Sequence, residues 1–249
     1  MKKNFISSRR VSILPSPIRG EPVEQSGQES LDVTLNSIYA ALYKRYGPQH
    51  WWPGDSAFEM MVGAVLTQSA AWTNVGKAID NLKSEGVLSS HALREIDINE
   101  LARLIYPSGY FNAKAAKLKA LVIWYGSNYG GDLQKLRKRP LAPLRDELLD
   151  VFGIGEETAD SILLYAANKP SFVIDAYTRR IFARMGVLPM KDTYADWRQM
   201  FMDVLKSDVG RFNEYHALIV KHGKDVCTKS KPKCTECCLR QICRTGRSN

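Results

Sequence analysis

The stretch Leu149-Asp150-Val151-Phe152-Gly153-Ile154-Gly155-Glu156-Glu157-Thr158-Ala159-Asp160 constrains this chain more than any other. Pro143 can open a helix, because the N–H it lacks would have no partner in a first turn. Leu144, Leu148, Leu149 and Phe152 recur at helical spacing and give that helix one apolar side. Gly153 and Gly155 bracket a tight turn where backbone can approach a ligand without a Cβ in the way. A second helix opens at once, with Ala159, Ile162, Leu163 and Ala166 on one face. Such a helix–turn–helix aims unpaired N–H groups outward, and a helix N-terminus favours an anion. Lys and Arg number 35 against 26 for Asp and Glu, a net charge of +9, so a DNA phosphate is the natural candidate. The competing reading is a plain αα-hairpin whose glycines only make the turn. The stretch by itself leaves both open.

Cysteine usage is equally uneven. All five fall after residue 226, and Cys227, Cys234, Cys237 and Cys243 give C-x6-C-x2-C-x5-C with Cys238 left over. Four thiolates can saturate a zinc ion or a [4Fe–4S] cluster, and the spacing does not choose between them. Disulfides fit less well, because the thiols crowd into one loop of an otherwise cysteine-free chain. A reducing compartment follows, the cytoplasm (nucleoid-associated in a bacterium). From Lys221 on there are eight basic residues against two acidic ones. A metal here would therefore fold a loop that presents Lys and Arg to phosphates. Four Cys ligands leave no open coordination position for catalysis.

The rest of the chain reads as helices. Residues 1–29 mix Lys2, Lys3, Arg9, Arg10 and Arg19 with Ser, Pro and Gln and have no apolar period, which predicts a disordered basic arm. Helical pattern starts near Ser30 with Leu31, Leu35, Ile38 and Leu42, and Gly47 stops it. Trp51 and Trp52 follow in a Pro- and Gly-rich loop, either as a core plug or as the wall of a pocket for a flat ring. Ser56-Ala57-Phe58-Glu59 reads as a capping box, and the helix behind it ends near Gln68. Further helices are predicted over 74–84, 97–105, 112–127, 193–206 and 211–222, with Lys114, Lys117 and Lys119 as a solvated basic face. Asp175 precedes a helix carrying Tyr177, Ile181, Met185 and a Gly186 stop, so it reads as an N-cap. No segment alternates as a strand would. No apolar run nears the ~20 residues that span a bilayer. The fold class is all-α.

The hairpin, the aspartate beyond it and the cysteine spacing together resemble the helix-hairpin-helix DNA glycosylases of the endonuclease III type, over roughly residues 30–245. The resemblance implies a six-helix barrel, about 56–170, against a second helical domain from both chain ends, 30–55 and 171–225. A [4Fe–4S] loop over 226–249 would follow, with Cys227, Cys234, Cys237 and Cys243 as ligands. It also implies a monomer acting on double-stranded DNA, with a damaged base flipped into the cleft between the domains. Asp175 matches the family's catalytic aspartate. Bifunctional members carry a lysine just before the Thr-Ala of the second hairpin helix, and Glu157 stands there. A carboxylate cannot form an imine, so the expectation is a monofunctional enzyme using water. Glu157 is the second catalytic candidate, against a simpler role as negative charge at a helix start.

Within that superfamily, Trp51-Trp52-Pro53-Gly54, the run Met60 to Gln68 and Trp72 resemble the branch of 3-methyladenine DNA glycosylase type III, or endonuclease III-related proteins. Trp52 or Trp51 would then pair with Trp72 around an extruded base. A cationic alkylated purine such as 3-methyladenine suits an aromatic cage. Gln68, or its neighbour Ser69, would fill the gap left by the base, and Gly153, Ile154, Gly155 and Thr158 would anchor the DNA. Two rivals stand beside this reading. One is a glycosylase/AP lyase using another amine such as Lys221, and the other a non-catalytic iron–sulfur DNA-binding protein.

Overall fold

The computed structural model describes residues 25–51 and 54–248. Among them are thirteen α-helices and no β-strand, so the chain is all-α. The first 24 residues of the expected arm, and Trp52 and Pro53, lie outside the described residues. Helix α1, Gln25–Tyr46, starts five residues before the stripe predicted from Ser30. Its Leu35, Ile38 and Leu42 are completely buried, on the order of 5 kcal/mol of apolar burial in all. Gly47 ends it with φ +67°, a left-handed conformation that favours glycine.

One core is built from α2 (Ala57–Leu66), α3 (Trp72–Ser84), α4 (Ser90–Glu95), α5 (Ile98–Leu104), α6 (Phe111–Tyr129), α7 (Leu133–Lys138), α8 (Leu141–Leu149) and α9 (Glu156–Ser161). Ser56 caps α2 by accepting from the Glu59 N–H. The reciprocal half of the box is missing, because Glu59 accepts from the Asp55 N–H and pairs with Lys83 at 3.0 Å.

Three expectations change here. Helix α8 begins at Leu141, with Pro143 inside its first turn, where any of the first N–H groups lacks a partner. Phe152 is 68% exposed rather than on the apolar side, because α8 stops at Leu149 and the turn swings the ring outward. Lys114, Lys117 and Lys119 are no solvated face. Lys114 is 2% exposed and donates to the carbonyls of Leu66 and Ser108 at 2.8 and 2.7 Å. Lys117 donates to Gln68, and Lys119 to the carbonyls of Arg94 and Ile96. The helix ends around α6 leave orphan carbonyls, and long amines reach them.

A second core joins α1 to α10 (Ala176–Met185), α11 (Tyr194–Val204) and α12 (Val209–Asp225), with α13 (Arg244–Arg247) packed on α10. Phe172 stacks on Phe201 at 4.2 Å between ring centres, with Phe212 and Tyr215 edge-on. Two features tie the cores together. After α9 the helix widens into a π turn, Ile162–Ala166. Its Ile162 and Leu163 pack into the first core, and its Leu164 and Tyr165 into the second. Asp160, fully buried, is bonded by Arg145 at 3.0 Å, by Arg198 at 3.2 Å and by the Ser171 hydroxyl. A buried carboxylate needs this much pairing.

A candidate active site between the two cores

The run Phe172–Ile174 is buried and delivers Asp175 to the start of α10. Its Oδ1 accepts from the Thr178 N–H at 2.7 Å and from the Thr178 hydroxyl at 2.9 Å. Its Oδ2 lies 3.6 Å from His216 Nε2. Burial alone would push this carboxyl up, but His216 and the Thr178 bonds outweigh it and hold Asp175 below its ordinary value. The N-cap therefore occupies one oxygen of the carboxylate and leaves the other facing His216. Glu157, second residue of α9, lines the same cavity. Burial and the nearby Asp175 push its carboxyl up. Two carboxyls of one site are thus driven in opposite directions, a pattern associated with divided acid and base roles.

The cavity measures about 420 Å³ and is walled by Trp51, Trp72, Tyr177, Glu157, Asp175 and His216 among others. The Trp51 and Trp72 rings are 6.2 Å apart between centres and tilted by 48°. Stacking contact takes about 3.5 Å on each side of an inserted ring, so the indoles must turn parallel and part slightly to hold one. Lys224 sits 5.8 Å above the Trp51 ring and also lines the cavity. Lys221, the rival amine, pairs with Asp225 at 2.9 Å and does not line it.

His216 escaped the sequence reading. It is a polar residue inside the buried stripe Phe212, Tyr215, Leu218 and Ile219 of α12, and that mismatch is the only signal it leaves. Its Nδ1 is bonded to the Tyr165 hydroxyl of the π turn. Burial keeps that phenol's affinity for its proton well above the ordinary range.

The predicted DNA-contacting residues divide. Gly153 has φ +79°, and a Cβ there would come 2.2 Å from the Lys117 side chain. Gly155 is the N-cap of α9, whereas the Ile154 side chain is buried in the first core. Gln68 donates to the Gly153 carbonyl at 3.1 Å and to the buried Thr158 hydroxyl at 3.0 Å, and accepts from Lys117 at 2.6 Å. Its amide nitrogen is thus tied to the hairpin and its oxygen to α6. Ser69, the next residue, is exposed with φ +52°, a conformation uncommon outside glycine.

The cysteines share one loop behind α12. The Cys227 sulfur accepts from Arg184 at 3.3 Å, the Cys243 sulfur from the Gly246 N–H at 3.3 Å, and the Cys237 sulfur lies 3.4 Å from His222 Nε2. Burial pushes the Cys237 thiol up to about 11. Among the described residues no three Cys, His, Asp or Glu side chains converge on a single metal ion. Four soft sulfurs, three of them beside N–H donors, nevertheless suit thiolate ligation.

No helix of the described residues is long and apolar enough to cross a membrane. Comparison with known proteins gives this geometry a context. Residues 62–207 match the family model "HhH-GPD superfamily base excision DNA repair protein". A candidate DNA repair glycosylase of Methanocaldococcus jannaschii is 44% identical over 211 residues, which cover 84% of this chain and 95% of that protein. A structure of endonuclease III trapped covalently on DNA superposes with a TM-score of 0.75 at 21% identity, covering 87% of this chain and 97% of that one. The 3-methyladenine DNA glycosylase of H. pylori, bound to 1,N6-ethenoadenine, superposes with a TM-score of 0.66 at 26% identity, covering 79% and 97%. The chain belongs to the HhH-GPD superfamily of base excision DNA repair proteins and is a DNA glycosylase of the endonuclease III-like kind.

Proposed function

We propose that the protein is a monofunctional glycosylase that flips a damaged base out of double-stranded DNA and hydrolyses its N-glycosidic bond. The observation that carries this reading is Glu157 at the head of α9, lining the cavity beside an Asp175 held ionised. An ionised Asp175 stabilises the oxocarbenium-like sugar and takes the proton of the attacking water. Water oxygen bonds to the sugar C1′, and the base departs with the electrons of the broken bond. An N-alkylated purine leaves as a neutral molecule and needs little acid catalysis. It is the substrate class we favour, supported by the indoles of Trp51 and Trp72 and by the likeness to the H. pylori enzyme. Trp52 belongs to this reading although it lies outside the described residues.

Cys227, Cys234, Cys237 and Cys243 would hold a [4Fe–4S] cluster. The cluster would fold the loop and set its Lys and Arg residues against DNA phosphates. The hairpin residues Gly153, Ile154, Gly155 and Thr158, with Gln68, would anchor the duplex. We place the protein in the cytoplasm as a monomer.

Lys224 favours a second reading, a glycosylase/AP lyase, because its amine lines the cavity. A base-release screen over alkylated, oxidised, deaminated and mismatched duplexes, followed by borohydride trapping, separates the two. Hydrolysis without a trapped adduct is expected, and a covalent adduct overturns the monofunctional claim. In that screen Asp175→Asn should lower base release by roughly 10²–10⁴-fold. Unchanged release would remove the mechanism.

A further inference from the structure

We propose that His216 is a positioning residue for Asp175, held in one tautomer by Tyr165 so that its Nε2 proton orients and keeps ionised the Oδ2 carboxylate oxygen. The inference rests on the reading of Asp175 as the group that acts on water.

The chain of contacts begins at the π turn. Tyr165 keeps its phenolic proton, and its hydroxyl is bonded to His216 Nδ1; in the proposed tautomer the hydroxyl donates. With Nδ1 accepting, the ring's proton toward Asp175 sits on Nε2. That nitrogen is buried and has no hydrogen-bond partner among the described residues. Asp175 Oδ2 stands 3.6 Å away, somewhat beyond hydrogen-bond range. Catalytic hydrogen bonds are often long before substrate binds and tighten in the complex. Meanwhile Oδ1 is committed to Thr178, so His216 is the group that fixes the direction of the remaining oxygen. A buried donor left unpaired costs about 1–3 kcal/mol, so its retention here calls for a reason, and Asp175 supplies one. The Trp51 side chain lies beside the Tyr165 hydroxyl, so the relay runs back to the aromatic wall of the cavity.

Asp175 and His216 are not alone in this space. Glu157 faces them from α9, Tyr165 from the π turn, Tyr177 and Arg179 from α10, and Lys224 from α12. Any pH effect must therefore be assigned to the Asp175 carboxyl itself.

The decisive measurement is the titration of the Asp175 side-chain carbon by carbon-13 NMR of the full chain, which needs no substrate. His216→Leu should move the midpoint upward, and His216→Gln, which keeps an N–H near the Nε2 position, should restore most of it. A midpoint unmoved in His216→Leu overturns the proposal. Single-turnover base release from dimethyl-sulfate-treated duplex DNA gives the second readout. His216→Leu should slow it on the order of 10²-fold with its acid limb shifted upward. In an Asp175→Asn background the same substitution should add nothing, because coupled residues are not additive. Additive losses would mean that His216 acts independently of Asp175, again overturning the proposal. If Asp175→Asn itself releases base normally while the NMR midpoint moves, the pairing stands and the hydrolytic reading falls. Should His216→Leu fold poorly, Tyr165→Phe removes the tautomer lock from a different side chain, and an unmoved midpoint there counts equally against it.

Discussion

Helix α12 carries two buried histidines that are built alike and face different chemistry. His216 takes the Tyr165 hydroxyl on Nδ1 and turns Nε2 to a carboxylate in an open cavity. His222, six residues on, takes the Tyr46 hydroxyl on Nδ1 at 2.8 Å and turns Nε2 to the Cys237 sulfur. Burial pushes His222 down to about 4 and is the main cause pushing the Tyr46 phenol up to about 12. The His222 imidazole is thus neutral and the Tyr46 phenol protonated at physiological pH. Six residues turn a helix by about 600°, a net of about 240°, so the two rings leave α12 about 120° apart and face different neighbours. The contrast shows that the Tyr–His pair is only a way of fixing a tautomer, and what the far nitrogen meets decides its use. Near His222 it meets a sulfur of the thiol loop, and near His216 the carboxylate proposed to act on water.

Substitutions at the two ends can break or sharpen this contrast. The largest expected effect is on stability at the thiol end. His222→Ala leaves a cavity and two unpaired partners, and should cost roughly 2–4 kcal/mol in denaturant unfolding. Its base-release rate, measured well below the transition, should stay within about twofold, as no part of His222 reaches the cavity. A large fall in rate with folding intact would erase the distinction between the two ends. The tyrosines give a smaller effect: Tyr46→Phe and Tyr165→Phe should each lose about 1 kcal/mol, but only Tyr165→Phe should slow base release.

The smallest effect is a pH signature confined to the cavity. Burial and Asp175 raise the Glu157 carboxyl, so the fold favours its protonated form. That contribution is present below the unfolded carboxylate value and is lost as pH rises through the folded one. Glu157→Gln should therefore raise the melting temperature at neutral pH and give no gain near about pH 4. An equal gain at both pH values would show that Glu157 is not strained by its surroundings.

Local signals in the sequence specified local structure well. Caps were legible at Ser56 and Asp175, stops at Gly47 and Gly186, and the buried stripes of α1 and α10. Short helices without a strong stripe, α4 and α7, left too little pattern to read. Lys114 and Lys117 misled because a helical run of lysines normally faces water. The three-dimensional meeting with the Leu66 carbonyl and Gln68 explains why Lys114 is buried and Lys117 half-buried. Asp175 and Glu157, the proposed catalytic pair, could be singled out one residue at a time, and they line one cavity. The site was illegible where the role depends on a partner far along the chain, as for His216 and Tyr165, 51 positions apart.

The π turn at Ile162–Ala166 has a consequence for how this molecule can vary. Its one surplus residue sets which way every later side chain of that segment points. Substitutions there trade volume, and cores absorb modest changes of that kind. Deleting a residue would restore ordinary helix but rotate Leu164 and Tyr165 by about 100°. One cut would then withdraw both residues from the second core and take the hydroxyl away from His216. The segment therefore tolerates changes of letter far better than changes of length, and inheritance at this point is counted in residues rather than in kinds of residue.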